Sequence, residues 1–336
     1  MREKPEVDAP ETPKPVGEPL AAGMIRLLQQ EITSGLARRG VQGDFGRFCS
    51  YAGGKLNATA RSTASELTGN CRLRWYDHML RNPVNAPAES EAFTRQLHMA
   101  VLDPQQPLAL TLAIAAEKLD LGRRELRTAG EVASPREALE AVKQAVADAQ
   151  LAYLAALAPL TKAEIQTLQA NIYPILTSQN NVGHTLQNRS TGRRLCDLME
   201  LKLDRNAMLR AAEALAPISN RPLLEQLPSI SADDFGAANE TASAEGVAGA
   251  TVARIDTPSG AILIGGQGQN SYQLDKMPGV SVVIDLGGSD TYLEGSVSPQ
   301  RPVLVVIDLE GNDVYRGSKP GIQGGAILGV SMLLDL

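Results

Sequence analysis

The chain has 336 residues, 43% hydrophobic and 21% charged, with a formal net charge of -6, so it is long enough for two domains, each burying its own core. A mild negative charge without a basic stripe argues against nucleic acid as a partner. No apolar run approaches the roughly 20 residues of a membrane-spanning helix, so no transmembrane segment is expected.

Residues 1–20 are rich in Pro, Glu and Lys; they read as a disordered tail and contain no signal-peptide stretch. From residue 21 the pattern turns helical. Met24, Ile25, Leu27, Leu28, Ile32 and Leu36 share one broad face, and Gly40 is a natural stop. Gly43, Gly46, Gly53 and Gly54 read as a loop, and helical periodicity returns over 56–67, 71–81, 89–102 and 107–121. Ser134-Pro135-Arg136-Glu137 predicts a capped helix running to about Leu157, with Pro159 beyond its end. Thr161 and Glu164 form a second capping box, so these two helices are expected to pair as an antiparallel hairpin. One helix is predicted from Gly192 to Leu215 and a short one over 222–227. Residues 21–227 thus read as an α-helical domain and 228–248, rich in Ser, Ala, Gly and acids, as a linker.

The helical region is chemically quiet. Its only histidines, His78, His98 and His184, have no metal-type partner three or four residues away. No G-x-S-x-G, H-E-x-x-H or phosphate-loop pattern occurs. Trp75-Tyr76 reads as a packed aromatic face, and Arg189, Arg193 and Arg194 as a solvated helix start or an anion site. Cys49, Cys71 and Cys196 match no zinc spacing; Cys49 and Cys71 are either a disulfide or two buried thiols.

Residues 249–336 change character. Short aliphatic runs (252–255, 261–264, 280–284, 303–307 and 327–334) alternate with Gly and Pro. Three of them lead into one motif, G-x-D/N-x-Y, as Gly268–Tyr272, Gly288–Tyr292 and Gly311–Tyr315, and Leu334-Asp335-Leu336 opens a further copy. The tyrosines stand 20 and 23 residues apart, a period typical of units that bury their apolar faces by stacking on one another. No room is left for a crossover helix. The prediction is an α+β multidomain chain, with the helical domain followed by an incomplete right-handed parallel β-solenoid. Its open strand edge is expected to fray or self-associate.

In each motif the glycine is expected to supply positive φ at a corner. The following Asn270, Asp290 or Asp313 should bond its own turn, and the tyrosine should stack between coils with its hydroxyl at the rim. Asp285, Asp308 and Asp335 each follow an aliphatic strand; in register they would stack roughly 4.8 Å apart and need hydrogen bonds, a proton or a cation between them. Grouped oxygens of this kind suit a hard cation such as calcium, which makes Asp285, Asp290, Asp308, Asp313 and Asn270 the candidate metal ligands. A weaker alternative is a carbohydrate-active lyase or hydrolase, with Asp285 and Asp308 supplying the acidic groups and Arg301 and Arg316, nearby in sequence, the basic groups of a groove.

The segment Gly265–Tyr272 resembles the G-G-x-G-x-D-x-U nonapeptide of the calcium-binding β-rolls of the repeats-in-toxin family, with Asn270 at the Asp position, and Gly288–Tyr292 and Gly311–Tyr315 resemble its second half. That likeness implies calcium at Asp290 and Asp313, with Asn270 as a further ligand. It departs in spacing and in Asp285-Leu286 and Asp308-Leu309, which stand where glycines would be. The whole looks like uncharacterised bacterial extracytoplasmic proteins with G-x-D-x-Y solenoid repeats. The likeness implies an extracytoplasmic or secreted location and no particular activity; the function expected is a non-catalytic structural or interaction module whose partner is a protein or polysaccharide.

Overall fold

In the computed structural model the described residues are 20–58, 73–122, 130, 132–177, 186–231 and 245–336. The tail 1–19, Cys71, His184 and most of the expected linker (232–244) lie outside them. The chain divides into two units, residues 1–67 with 74–96 and residues 68–73 with 97–336.

The first unit holds α1 (Leu20–Arg38), α2 (Gln42–Ala58), α3 (Arg74–Arg81) and most of α4 (Ala86–Val101). The glycine-rich stretch expected to be a loop is helix α2. Glycine costs a helix about 1 kcal/mol relative to alanine, but Gly53 has a packing reason: a Cβ there would lie 2.8 Å from Arg81 Cγ on α3. Trp75 packs against Phe93 at 5.2 Å between ring centroids, as an aromatic face should. Cys49 is buried as a free thiol.

In the second unit come α5 (Pro107–Lys118), α6 (Pro135–Leu157), α7 (Lys162–Thr177), α8 (Leu186–Leu201), α9 (Arg205–Leu215) and α10 (Arg221–Leu224). Both caps form, the Thr161 box in full with Thr161 N donating to Glu164 Oε2 at 3.0 Å, and the Glu137 carboxylate taking Ala133 N at 2.8 Å instead of Ser134 N. Ser134 Oγ accepts from Glu137 N at 3.3 Å, and Thr161 Oγ accepts from Glu164 N at 3.3 Å. The pairing differs from the expected hairpin, since α6 lies along α9 and α7 along α8. The cause is side-chain size: Ala138, Ala145, Ala149 and Ala156 on α6 and Ala207, Ala211 and Ala214 on α9 are buried small residues that let two axes approach closely. The single helix expected over 192–215 is two helices, because Asp204 caps the second, its carboxylate accepting from Ala207 N at 2.9 Å.

The solenoid is formed by β1 (Val247–Ala248), β2 (Thr251–Ile255), β3 (Ala261–Gly265), β4 (Ser271–Gln273), β5 (Val280–Asp285), β6 (Thr291–Leu293), β7 (Val303–Asp308), β8 (Val314–Arg316) and β9 (Val330–Asp335). Each coil contributes one long and one short strand. The long strands β3, β5, β7 and β9 stack in parallel in one sheet, and β4, β6 and β8 stack in parallel in the other. Before them, β2 and β1 pair antiparallel with β3 and β4, covering the first coil on both sheets. β1 therefore begins the sheet inside the stretch expected to be linker.

β3, β5 and β7 are buried on both faces, which accounts for their near-continuous apolarity. Ile262, Ile264, Val282, Ile284, Val305 and Ile307 face outward and share one core with Val142, Val146 and Ala149 of α6 and Leu215 of α9. Leu263, Val283, Leu304 and Val306 face into the coil against Tyr272 and Tyr292. No helix among the described residues is long and apolar enough to cross a membrane.

Candidate buried acidic centre

Asp285 and Asp308 are partners in register at the ends of β5 and β7. They follow Ile284 and Ile307, so strand alternation turns them inward, and both are fully buried. Their counterpart Asp335 is exposed on the last strand. Tyr272, Tyr292 and Tyr315 are also in register across the short strands. Their rings stack at 5.0 Å and 4.8 Å between centroids. The stack was expected, but its hydroxyls are inside the coil rather than at the rim. The Tyr272 hydroxyl donates to Asp285 Oδ2, and the Tyr292 hydroxyl donates to Asp308 Oδ2 at 2.8 Å. Tyr272 and Tyr292 thus tie their own coils to the aspartate that ends the next long strand.

The motif acids do not bond their own turns. Asp290 Oδ1 accepts from the backbone N of Asn270 at 2.5 Å, and Asp313 Oδ1 accepts from that of Asp290 at 2.6 Å. Parallel stacking brings the carboxylate of one coil up to the amide of the previous one, so these bonds are rungs between coils. The glycines serve the same stacking in different ways. Gly288 has φ +150, and a Cβ there would lie 2.7 Å from Gly268 O. At Gly311 the requirement is close approach alone, 2.4 Å from Gly288 O, and a Cβ on Gly268 would meet nothing within 4 Å.

These arrangements bring three carboxylates together. Asp285, Asp290 and Asp308 are all buried, and one oxygen of each lies within 4.8 Å of the others. Asn270, also buried, donates from Nδ2 to Asp285 Oδ2 at 3.1 Å and to the Tyr272 hydroxyl oxygen at 2.8 Å. Gly287 N donates to Asp285 Oδ1 at 2.9 Å. Among the described residues, Asn270 Oδ1, Asp290 Oδ2 and Asp308 Oδ1 are buried without a hydrogen-bond partner. Asp313, half-buried, sits one coil further on. Burial, reinforced by the charge of Asp285, pushes the Asp290 carboxyl up to about 7 against the pull of the Asn270 amide. Burial likewise pushes Asp308 up to about 6 despite the Tyr292 hydrogen bond. The tyrosine hydroxyls are raised by burial and then by the neighbouring aspartates, so they stay protonated, Tyr272 and Tyr292 as donors.

The basic residues considered for catalysis point elsewhere. Arg301 is buried, and its guanidinium donates to the carbonyls of Leu274 (2.7 Å), Met277 (3.1 Å) and Ser296 (2.8 Å). Desolvation lowers its pKa against the charge of Asp275. Arg316 is exposed on β8. The coils have a second set of clasps outside the G-x-D/N-x-Y motif. Asp275 Oδ1 accepts from Gly295 N (3.2 Å) and Ser296 N (2.9 Å), and Glu294 accepts from Ser318 N at 3.2 Å. The available signal was the Gly-Ser pair that follows two of the tyrosines, Gly295-Ser296 and Gly317-Ser318.

No family model, curated protein or solved structure matches the chain.

Proposed function

We propose that this chain is a non-catalytic structural or interaction module built on its β-solenoid, with calcium as the ion that steadies the coils. The observation that carries the reading is the burial of the acids. Asp285, Asp290 and Asp308 are at most 1% exposed and face tyrosines across the coil interior, where a polysaccharide chain has no access. A groove enzyme would need its carboxyls on the solvent side, with a base beside them, and the solenoid's buried arginine is bonded to backbone carbonyls instead. Calcium fits the donor set because it prefers oxygen ligands, and the weak sites of extracellular modules fill at about 0.1–1 mM. The same reading places the protein outside the cytoplasm. The outer edges of β8 and β9, which end the two sheets and pair with no further strand among the described residues, are the surface offered to a protein or polysaccharide partner, or to a second copy.

Thermal melts in EDTA and in about 1–5 mM calcium test the ion. A rise of several degrees in calcium is expected, and superimposable melts would remove calcium from the proposal. Incubation with a panel of neutral and acidic polysaccharides tests the module reading itself. Degradation lost in Asp285→Asn would replace it with the carbohydrate-active alternative.

A further inference from the structure

Successive copies of the motif treat their interior carboxylate differently. In the first, Asn270 presents an amide: Nδ2 donates to Asp285 Oδ2, which also takes the Tyr272 hydroxyl, while Asp285 Oδ1 takes Gly287 N. Asp285 is thereby supplied with donors on both oxygens. In the next copy Asp290 stands where Asn270 stood, and Asp308 where Asp285 stood, in register. The donor has been replaced by an acceptor. Asp308 Oδ2 still receives the Tyr292 hydroxyl, and Asp290 Oδ1 still receives Asn270 N. The other oxygens, Asp290 Oδ2 and Asp308 Oδ1, have no hydrogen-bond partner among the described residues, as is also true of Asn270 Oδ1, and Asp290 and Asp308 are 1% and 0% exposed. Uncompensated acceptors at this depth are strongly unfavourable.

We infer that a divalent, oxygen-preferring cation takes the place of the missing amide donor, ligated by Asp290 Oδ2 and Asp308 Oδ1, with Asp285 as a positioning residue rather than a ligand. This rests on the reading of the coil as ion-stabilised and assigns the roles within it. The cation would join the corner of one coil to the strand end of the next, across the step where aspartate in place of asparagine removes a hydrogen bond. Asp285 keeps its donors and holds the first rung in place. Asn270 is the amide counterpart of the ion, and Asp313 contributes the rung to Asp290 N instead of a ligand.

The test is tyrosine-sensitised terbium luminescence on the whole chain, terbium standing in for calcium and the stacked Tyr292 acting as antenna. The expected result is emission that calcium displaces. The number of coordinated waters, from emission lifetimes in light and heavy water, should be the same in the wild type and in Asp285→Asn. It should rise in Asp290→Ala and Asp308→Ala, with affinity lost by at least about tenfold. If the alanine variants do not fold, Asp290→Asn and Asp308→Asn keep the volume and should show the same loss of affinity. Absence of displaceable emission in the wild type would overturn the site, as would Asp285→Asn gaining a coordinated water. Either result leaves the non-catalytic module standing, because that reading falls only on polysaccharide degradation.

Discussion

The hydroxyl of Tyr292 donates to Asp308 across the coil interior at 2.8 Å, and the Tyr272 hydroxyl makes the equivalent bond to Asp285. An aromatic stack and an acidic column, each in register with itself, are thereby fastened to one another. A buried carboxylate deprived of a donor typically costs about 1–3 kcal/mol. Tyr292→Phe is expected to destabilise the second unit by that amount in urea titrations. Tyr315→Phe should cost less, because Tyr315 is half-buried and its counterpart Asp335 is exposed.

The raised carboxyls predict an unusual pH dependence in the absence of divalent cations. Asp290 titrates at about 7 and Asp308 at about 6 when folded, against roughly 4 for an unfolded aspartate. Between those values the folded chain binds more protons than the unfolded one, so stability falls as pH rises. The contribution is fully present below about pH 4 and lost as pH passes through 6 and 7. Urea midpoints from pH 5 to 8 in EDTA should decline, and Asp290→Asn should flatten the decline. A midpoint that increases over this range would contradict the buried-acid geometry. Glu164, held at about 2 by Lys202 and by the Thr161 amide, acts in the opposite sense but at a lower pH.

The three motif glycines are not equivalent. Alanine at Gly311 must push against Gly288 O at 2.4 Å, and at Gly288 against Gly268 O at 2.7 Å with φ +150. Each substitution is expected to cost about 1–3 kcal/mol from strain or overpacking. Gly268→Ala, with nothing within 4 Å, should be close to neutral. Equal losses at all three in a denaturant series would refute close approach as the cause.

Arg301 should not be replaceable by lysine. Its planar fork serves three backbone carbonyls at 2.7–3.1 Å, and an ammonium lacks that geometry. Arg301→Lys is expected to lower stability by about 1–3 kcal/mol. It should leave terbium binding unchanged, because the clasp is separate from the acidic centre.

Much of the fold was legible because it rests on local rules. The boxes at Ser134 and Thr161 mark helix starts through bonds within four residues, and the spacing of Tyr272, Tyr292 and Tyr315 announces stacked coils through simple repetition. The glycines of α2 misled the reading because Gly53 answers to Arg81 on a different helix. Asp204 was passed over because a polar residue in a periodic stretch can equally face solvent. Of the candidate site, the acids were legible as a repeated type, but not their surroundings. Whether an aspartate bonds its own turn or the next coil depends on the distance between coils, and a motif does not contain that distance.

By itself the sequence determined the helical first part, the repeat, the pairing of three aliphatic strands with motif tyrosines, and the acidic residues that recur with them. These follow from periodicity and turn chemistry, which act over a few residues. Tertiary structure decided that α6 lies along α9, that helices and coils share a core, and that the acids point inward to meet the tyrosines. It also decided that Asn270 and Asp290, equivalent in the motif, have opposite effects on the carboxylate they face. Those outcomes depend on packing between segments distant in the chain, where side-chain size, burial and the register of stacked coils set which groups meet.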